Sequence, residues 1–136
     1  MSARVPVQTD AAPGASGAYS QAIAADGLIF AAGQLGADPA TGALVEGGAA
    51  AQADQALRNL AAVLDAAGTG FDRVVKTTIF LVDMGDFNEV NEVYTRHLSA
   101  PYPARSTIAV QALPRGGLVE IEMIALSRGA KESAGS

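Results

Sequence analysis

Residues 74–98 read VVKTTIFLVDMGDFNEVNEVYTRHL, and the spacing of their apolar residues changes part-way along. Residues 74–82 are rich in Val, Thr, Ile and Phe, a composition that suits a pleated strand. Further on, Phe87, Val90, Asn91, Tyr94 and Leu98 follow one another by three- and four-residue steps, which predicts a helix over about residues 86–97. Asp86 and Glu89 stand three apart at its start, the spacing of a capping box. Asn91 is the polar member of this apolar stripe. A buried amide needs partners, so it either caps a neighbouring loop or touches a ligand.

Outward from this strand and helix, two more strand-like runs follow at 104–113 and 119–126, separated by Pro114-Arg115-Gly116-Gly117, and an antiparallel hairpin is expected there. On the other side, residues 48–67 carry Ala53, Ala56, Leu57, Leu60, Val63, Leu64 and Ala67 at helical spacing, with Gln52, Asp54, Gln55, Arg58 and Asn59 on other faces. Gly68 is placed to stop this helix. Residues 28–34 read as a strand, and 37–42, with Asp38-Pro39 and Thr41-Gly42, as turn chemistry. The expected order is β, β, α, β, α, β, β, with an extra N-terminal strand at 5–7. This is an α+β layer with two helices packed on one face of a mixed sheet. The apolar strands leave the other face to be covered, and a homo-oligomer is expected to cover it. The whole chain, 1–136, reads as one domain with a core over about 17–126, an unstructured N-terminus to about residue 13 and a tail over 128–136.

Composition narrows the function classes. The chain has 136 residues, 49% hydrophobic and 17% charged, which is a globular balance. With no cysteine it can form no disulfide, thiol nucleophile or thiolate metal site. Fourteen acidic residues against nine basic ones, a net charge of −5, oppose attraction to phosphate backbones, so nucleic acid is not an expected partner. Apolar runs such as 28–32 are too short to cross a bilayer and the N-terminus has no basic region followed by an apolar core, so no membrane partner and a cytoplasmic location are expected. His97, the only histidine, has no metal-ligand spacing around it and reads as an exposed helix-end residue. No GxSxG, GxGxxG or GxxxxGK[ST] pattern occurs, which leaves metal, dinucleotide and nucleotide cofactors without motif support.

Arg105 lies inside a strand reading ARSTIAV, where a guanidinium must be paired or face a wet pocket. Its planar fork matches a carboxylate, and a structural ion pair with Glu120 or Glu122 is the alternative. A hairpin centred near Gly116 would place Arg105 beside Ser127. Glu120 and Glu122 alternate with Val119, Ile121 and Met123, so they share one face, where a carboxylate can orient water or accept a proton or can simply be a solvated edge.

GAYSQA (17–22), AAGQLG (31–36), VVKTTIFLVDMGDF (74–87), VNEVY (90–94), YPARSTIAV (102–110) and LVEIEMIAL (118–126), in this order, resemble the RidA/YjgF family of reactive-intermediate deaminases. The combination of PAR with the Glu of VEIE fifteen residues after Arg105 is the specific part. The resemblance implies a chorismate-mutase-like fold, a homotrimer with clefts between subunits, and cofactor-free hydrolysis of 2-enamine and 2-imine acids (2-aminoacrylate or 2-iminopropanoate, 2-iminobutanoate) to 2-oxo acids and ammonia. It further implies that Arg105 holds the substrate carboxylate with the backbone N–H of Thr107, that Glu120 positions water or moves a proton, and that Tyr19, Gly33 and Asn91 belong to the pocket. Ala18, Ala32 and Thr107 depart from the family's usual Pro, small hydroxyl residue and Cys. Two other functions fit the same sequence: a ligand-binding or chaperone-like trimer without turnover, and an endoribonuclease that inhibits translation.

Overall fold

In the computed structural model, which describes residues 3–128, six strands form one sheet: β1 (Val5–Val7), β2 (Ala22–Ala25), β3 (Leu28–Leu35), β4 (Val74–Leu81), β5 (Ala104–Ala109) and β6 (Val119–Leu126). Their spatial order is β1-β2-β3-β6-β4-β5, antiparallel throughout except for the parallel pair β4 and β5. Two helices, α1 (Gly48–Ala66) and α2 (Phe87–His97), pack on one face. The architecture is therefore α+β, with a mixed sheet covered on one side. No described helix is long and apolar enough to cross a membrane.

Alternation along β6 decides which face is covered. Val119, Ile121, Met123 and Ala125 are at most 1% exposed under the helices, whereas Glu120, Glu122, Ile124 and Leu126 point to the bare face. Beside it, Ile79 and Leu81 of β4 face inward, and α1 closes the layer with Ala53, Ala56, Leu57, Leu60, Val63 and Leu64, all 0% exposed. Each large side chain fully buried in this way contributes roughly 1.5–3 kcal/mol. Gly68, at φ 80°, ends α1 in the left-handed conformation that its position after the last periodic residue predicts.

The expected hairpin does not form. β5 turns away to pair with β4 in parallel, and β6 inserts between β3 and β4. Residues 114–117 redirect the chain through a 3-10 turn in which Arg115 takes φ 62°, instead of folding one strand back onto the next. At the N-terminus the extra strand expected at 5–7 forms as β1 and pairs with β2, but both Val7 and Ala12 join the hydrophobic core, so this segment is not unstructured and the core begins well before residue 17. Except for Arg128, the expected C-terminal tail lies outside the described residues.

Several polar residues placed by periodicity on outer faces are buried. Gln52, 7% exposed, accepts from the Leu118 N–H at 2.9 Å, and Asn59, 1% exposed, donates to the Ala37 carbonyl at 2.9 Å. His97 is not a free helix end: its Nε2 lies 2.7 Å from Asp54, joining α2 to α1. The Arg58 hydrogen bond first, and His97 second, hold the Asp54 carboxyl below the usual carboxylate range. The capping box at Asp86 is also absent; Asp83 instead accepts from the Gly85 N–H at 2.8 Å, ahead of the helix.

Gln21, 1% exposed, ties the N-terminal segment to the sheet. Its amide donates to the carbonyls of Thr9 (3.0 Å) and Pro13 (2.8 Å) and accepts from the Thr9 N–H (2.8 Å). Gln21→Leu would strand these groups, and we expect a loss of about 3 kcal/mol in unfolding free energy, read by denaturant titration. A loss below about 0.5 kcal/mol would show that the segment does not depend on Gln21.

Candidate active site

The register of the parallel pair sets where Arg105 points. It lies opposite Thr77, which is 0% exposed, so Arg105 is on the helix-covered face but at the sheet's outer edge. There its Nη1 donates to Asn91 Oδ1 at 2.7 Å, and its guanidinium carbon lies 4.9 Å from the Tyr94 ring centroid and 5.5 Å from that of Phe87. Both rings offer a π face to the cation. Among the described residues Arg105 has no carboxylate partner, so the structural ion pair with Glu120 or Glu122 is not formed. A cavity of about 420 Å³ opens at this point, lined by Asn91, Tyr94, Thr95, Tyr102, Pro103 and Arg105.

Thr107, two residues on, points the same way as Arg105. Its Oγ1 is buried and has no hydrogen-bond partner. The Val110 N–H donates to the Leu81 carbonyl at 2.7 Å, so β5 presents alternate N–H groups to β4 and directs those of Thr107 and Arg105 out from the open edge. A guanidinium and a free backbone N–H thus flank one edge. Together they suit a carboxylate.

Glu120 stands elsewhere. It is opposite Leu35 on one side and Phe80 on the other, on the face without helices, in a central strand and not on a solvated edge. It forms no hydrogen bond or ion pair with the described residues. Burial above all, and then the charge of Glu122, pushes its carboxyl above the usual range. Gly33 sits at a register shift of β3, and a Cβ added there would lie 2.9 Å from Glu120 Cδ. Its bare backbone makes room for that carboxylate. We therefore expect Gly33→Ala to lower kcat/KM about 10- to 100-fold by displacing Glu120, with little change in melting temperature. In a Glu120→Ala background the same substitution should cost nothing further, and an equal loss there would detach Gly33 from Glu120.

The six residues singled out in the sequence therefore fall into separate groups within one chain. Arg105, Asn91 and Thr107 meet at the β5 edge; Glu120 and Gly33 meet on the bare face. Two strand spacings, about 10 Å, and the thickness of the sheet separate the groups. Tyr19, 55% exposed, precedes β2 with its hydroxyl 3.4 Å from the Ser16 N–H, four strand positions from β5.

The profile of the family described as endoribonuclease L-PSP matches residues 9–127. The chain belongs to this family. Human 2-iminobutanoate/2-iminopropanoate deaminase is 49% identical over 120 residues, 88% of each chain. The crystal structure of RidA from the Antarctic bacterium Psychrobacter is 48% identical and superposes with a TM-score of 0.87, over 90% of this chain and 99% of the other. Escherichia coli TdcF, crystallised with bound serine, is 35% identical with a TM-score of 0.84, over 90% of this chain and 98% of the other. These likenesses span nearly the whole fold.

Sequence reasoning overlooked the surroundings of Arg105. Phe87 and Tyr94 read as part of a core stripe, and their helical spacing gives no sign that one side of the stripe faces a cation. Thr77, in the middle of an apolar strand, carried no signal at all. Tyr102 and Pro103 were visible only as part of the YPARS motif.

Proposed function

We propose that this protein hydrolyses 2-imino acids, and their enamine tautomers, to 2-oxo acids and ammonia, in sites built where two copies meet. The observation that carries the reading is Arg105: a guanidinium oriented by Asn91 and two aromatic rings, beside an outward N–H, with no carboxylate partner among the described residues. The substrate carboxylate supplies the missing partner. The human relative, which bears the name 2-iminobutanoate/2-iminopropanoate deaminase, supports the same chemistry.

A protonated imine carbon is already electrophilic, so the protein has little covalent work to do. With the carboxylate fixed on Arg105 and the Thr107 N–H, C2 is presented to a water held by Glu120 from the other copy. Water adds to C2 as Glu120 accepts one of its protons. The C=N double bond becomes a C–N single bond in a carbinolamine. Return of that proton to the nitrogen makes ammonia a leaving group; as the C–N bond breaks and the C=O double bond forms, the hydroxyl proton passes to Glu120 and then to the departing ammonia, which leaves as ammonium. Overall, one water and one iminium give one 2-oxo acid and one ammonium ion.

The one-domain unit brings its half-sites together as a homotrimer in this proposal. Phe30 (42% exposed) and Ile108 (46%) lie on the bare sheet face, which supports burial by other copies. Light scattering at micromolar concentration should give a three-chain mass, and a monomer would remove the shared site. The direct test of activity is to generate 2-iminobutanoate in place with a dehydratase and follow 2-oxobutanoate. The expected result is faster release in proportion to added protein. No acceleration would favour a ligand-binding or chaperone-like role. RNA cleavage is the weaker alternative, since the net charge is −5 and the single histidine is engaged with Asp54.

A further inference from the structure

We propose that Thr77 and Tyr94 act as a positioning pair that sets the orientation of the Arg105 guanidinium, an inference that rests on the carboxylate-binding reading of Arg105. The Thr77 and Tyr94 hydroxyls lie 2.9 Å apart, and the two residues are 0% and 3% exposed. Thr77 is also the residue directly opposite Arg105 in the parallel ladder. The contacts form a closed circuit. From the Arg105 backbone it crosses to Thr77, passes through the paired hydroxyls to the Tyr94 ring, and returns through that ring to the guanidinium, 4.9 Å above it. Asn91, which accepts from Nη1, is three residues before Tyr94 on α2, so the one hydroxyl pair fixes both of these contacts relative to β4.

Stability alone does not account for this pair. Two buried hydroxyls that bond only to each other can be replaced by apolar groups of the same shape at almost no cost in folding free energy, so Val and Phe would fill the space as well. What Val and Phe lack is a directional link between strand and helix. Without it α2 can shift along β4, and the ring and the Asn91 amide shift with it. Because Nη1 already donates to Asn91, the geometry left for a carboxylate is the remainder of the fork, and a small rotation spoils two parallel bonds.

The test uses Tyr94→Phe, Thr77→Val and the Thr77→Val/Tyr94→Phe double variant. Each is measured for kcat and KM on imine generated in place, for binding of 2-oxobutanoate, and for melting temperature. Each single variant leaves one hydroxyl orphaned and should melt lower; the double variant should melt close to the unmodified protein. In all three, KM and the 2-oxobutanoate Kd should rise together by about 5- to 10-fold, the size of one misaligned charge-assisted bond, with kcat within about twofold. In an Arg105→Lys background these variants should add no further loss of binding. Return of KM and Kd to normal in the double variant, along with the melting temperature, would overturn the proposal, as would losses that add fully to that of Arg105→Lys. Failure of the deaminase reading looks different: the unmodified protein would turn over no imine, and the positioning role would still be decided by the 2-oxobutanoate Kd.

Discussion

Arg105→Lys should lower kcat/KM for imine hydrolysis by roughly 30- to 150-fold, about 2–3 kcal/mol of transition-state stabilisation, while the melting temperature stays within about 2 °C. Lys keeps the positive charge and the attraction to a carboxylate, but it cannot form two parallel N–H bonds in one plane. Nor can it donate to Asn91 and still present a fork to substrate. Stability should survive because Arg105 has no carboxylate partner to abandon among the described residues, and an ammonium can still rest over Tyr94 and Phe87. A structural role predicts the reverse: a protein that melts earlier and turns over normally per folded chain. Activity and melting measured on one sample separate the two.

Glu120→Gln should have the larger effect on kcat, a loss of about 10²- to 10³-fold, because an amide can orient water but cannot take its proton. The pH dependence has a definite sign. The folded-state pKa of Glu120 is raised, chiefly by burial, so its working, ionised form is lost as pH falls through a value above the ordinary carboxylate range. The acid limb of the rate profile should therefore lie above that range in the unmodified protein and be missing in Glu120→Gln. Stability should move the opposite way. A raised pKa means that the folded state binds this proton more tightly than the unfolded chain, so ionisation destabilises the fold as pH rises from the unfolded to the folded value. At neutral pH the neutral amide should leave the melting temperature unchanged or slightly higher. A Glu120→Gln protein that melts lower and keeps its kcat would identify Glu120 as a structural carboxylate.

Much of this was legible in the sequence, for identifiable reasons. The helices and most strands carry strong periodicity, and β6 announces its two faces by alternating Val119, Ile121 and Met123 with Glu120 and Glu122. Strand order was not legible. The sequence LPRGG has the composition of a hairpin turn, and nothing local says that β6 will lie between β3 and β4 while β5 goes to the edge. Sheet order is set by which apolar face packs best across the whole layer, and that information is not contained in a window of ten residues. Buried polar residues failed for a related reason. Gln21, Gln52 and Asn59 look like surface residues until the backbone groups they satisfy are known, and those lie up to 66 residues away in the chain.

For the site, family resemblance named Arg105 and Glu120, but only the register placed them on opposite faces of one sheet. Within one chain the fork and the carboxylate stand apart, and the proposed site therefore takes one from each of two neighbouring chains in a closed ring.

Mixing the two damaged proteins tests this most directly. Arg105→Lys and Glu120→Gln chains are unfolded together, refolded at equal concentration and assayed for hydrolysis of 2-iminobutanoate generated in place. If each site takes its arginine from one chain and its glutamate from the next, random assembly into a closed ring leaves about one site in four intact, and the mixture should recover about a quarter of the unmodified activity. A mixture no more active than the average of the two variants alone, with mixed oligomers verified by mass, would contradict a site shared between copies.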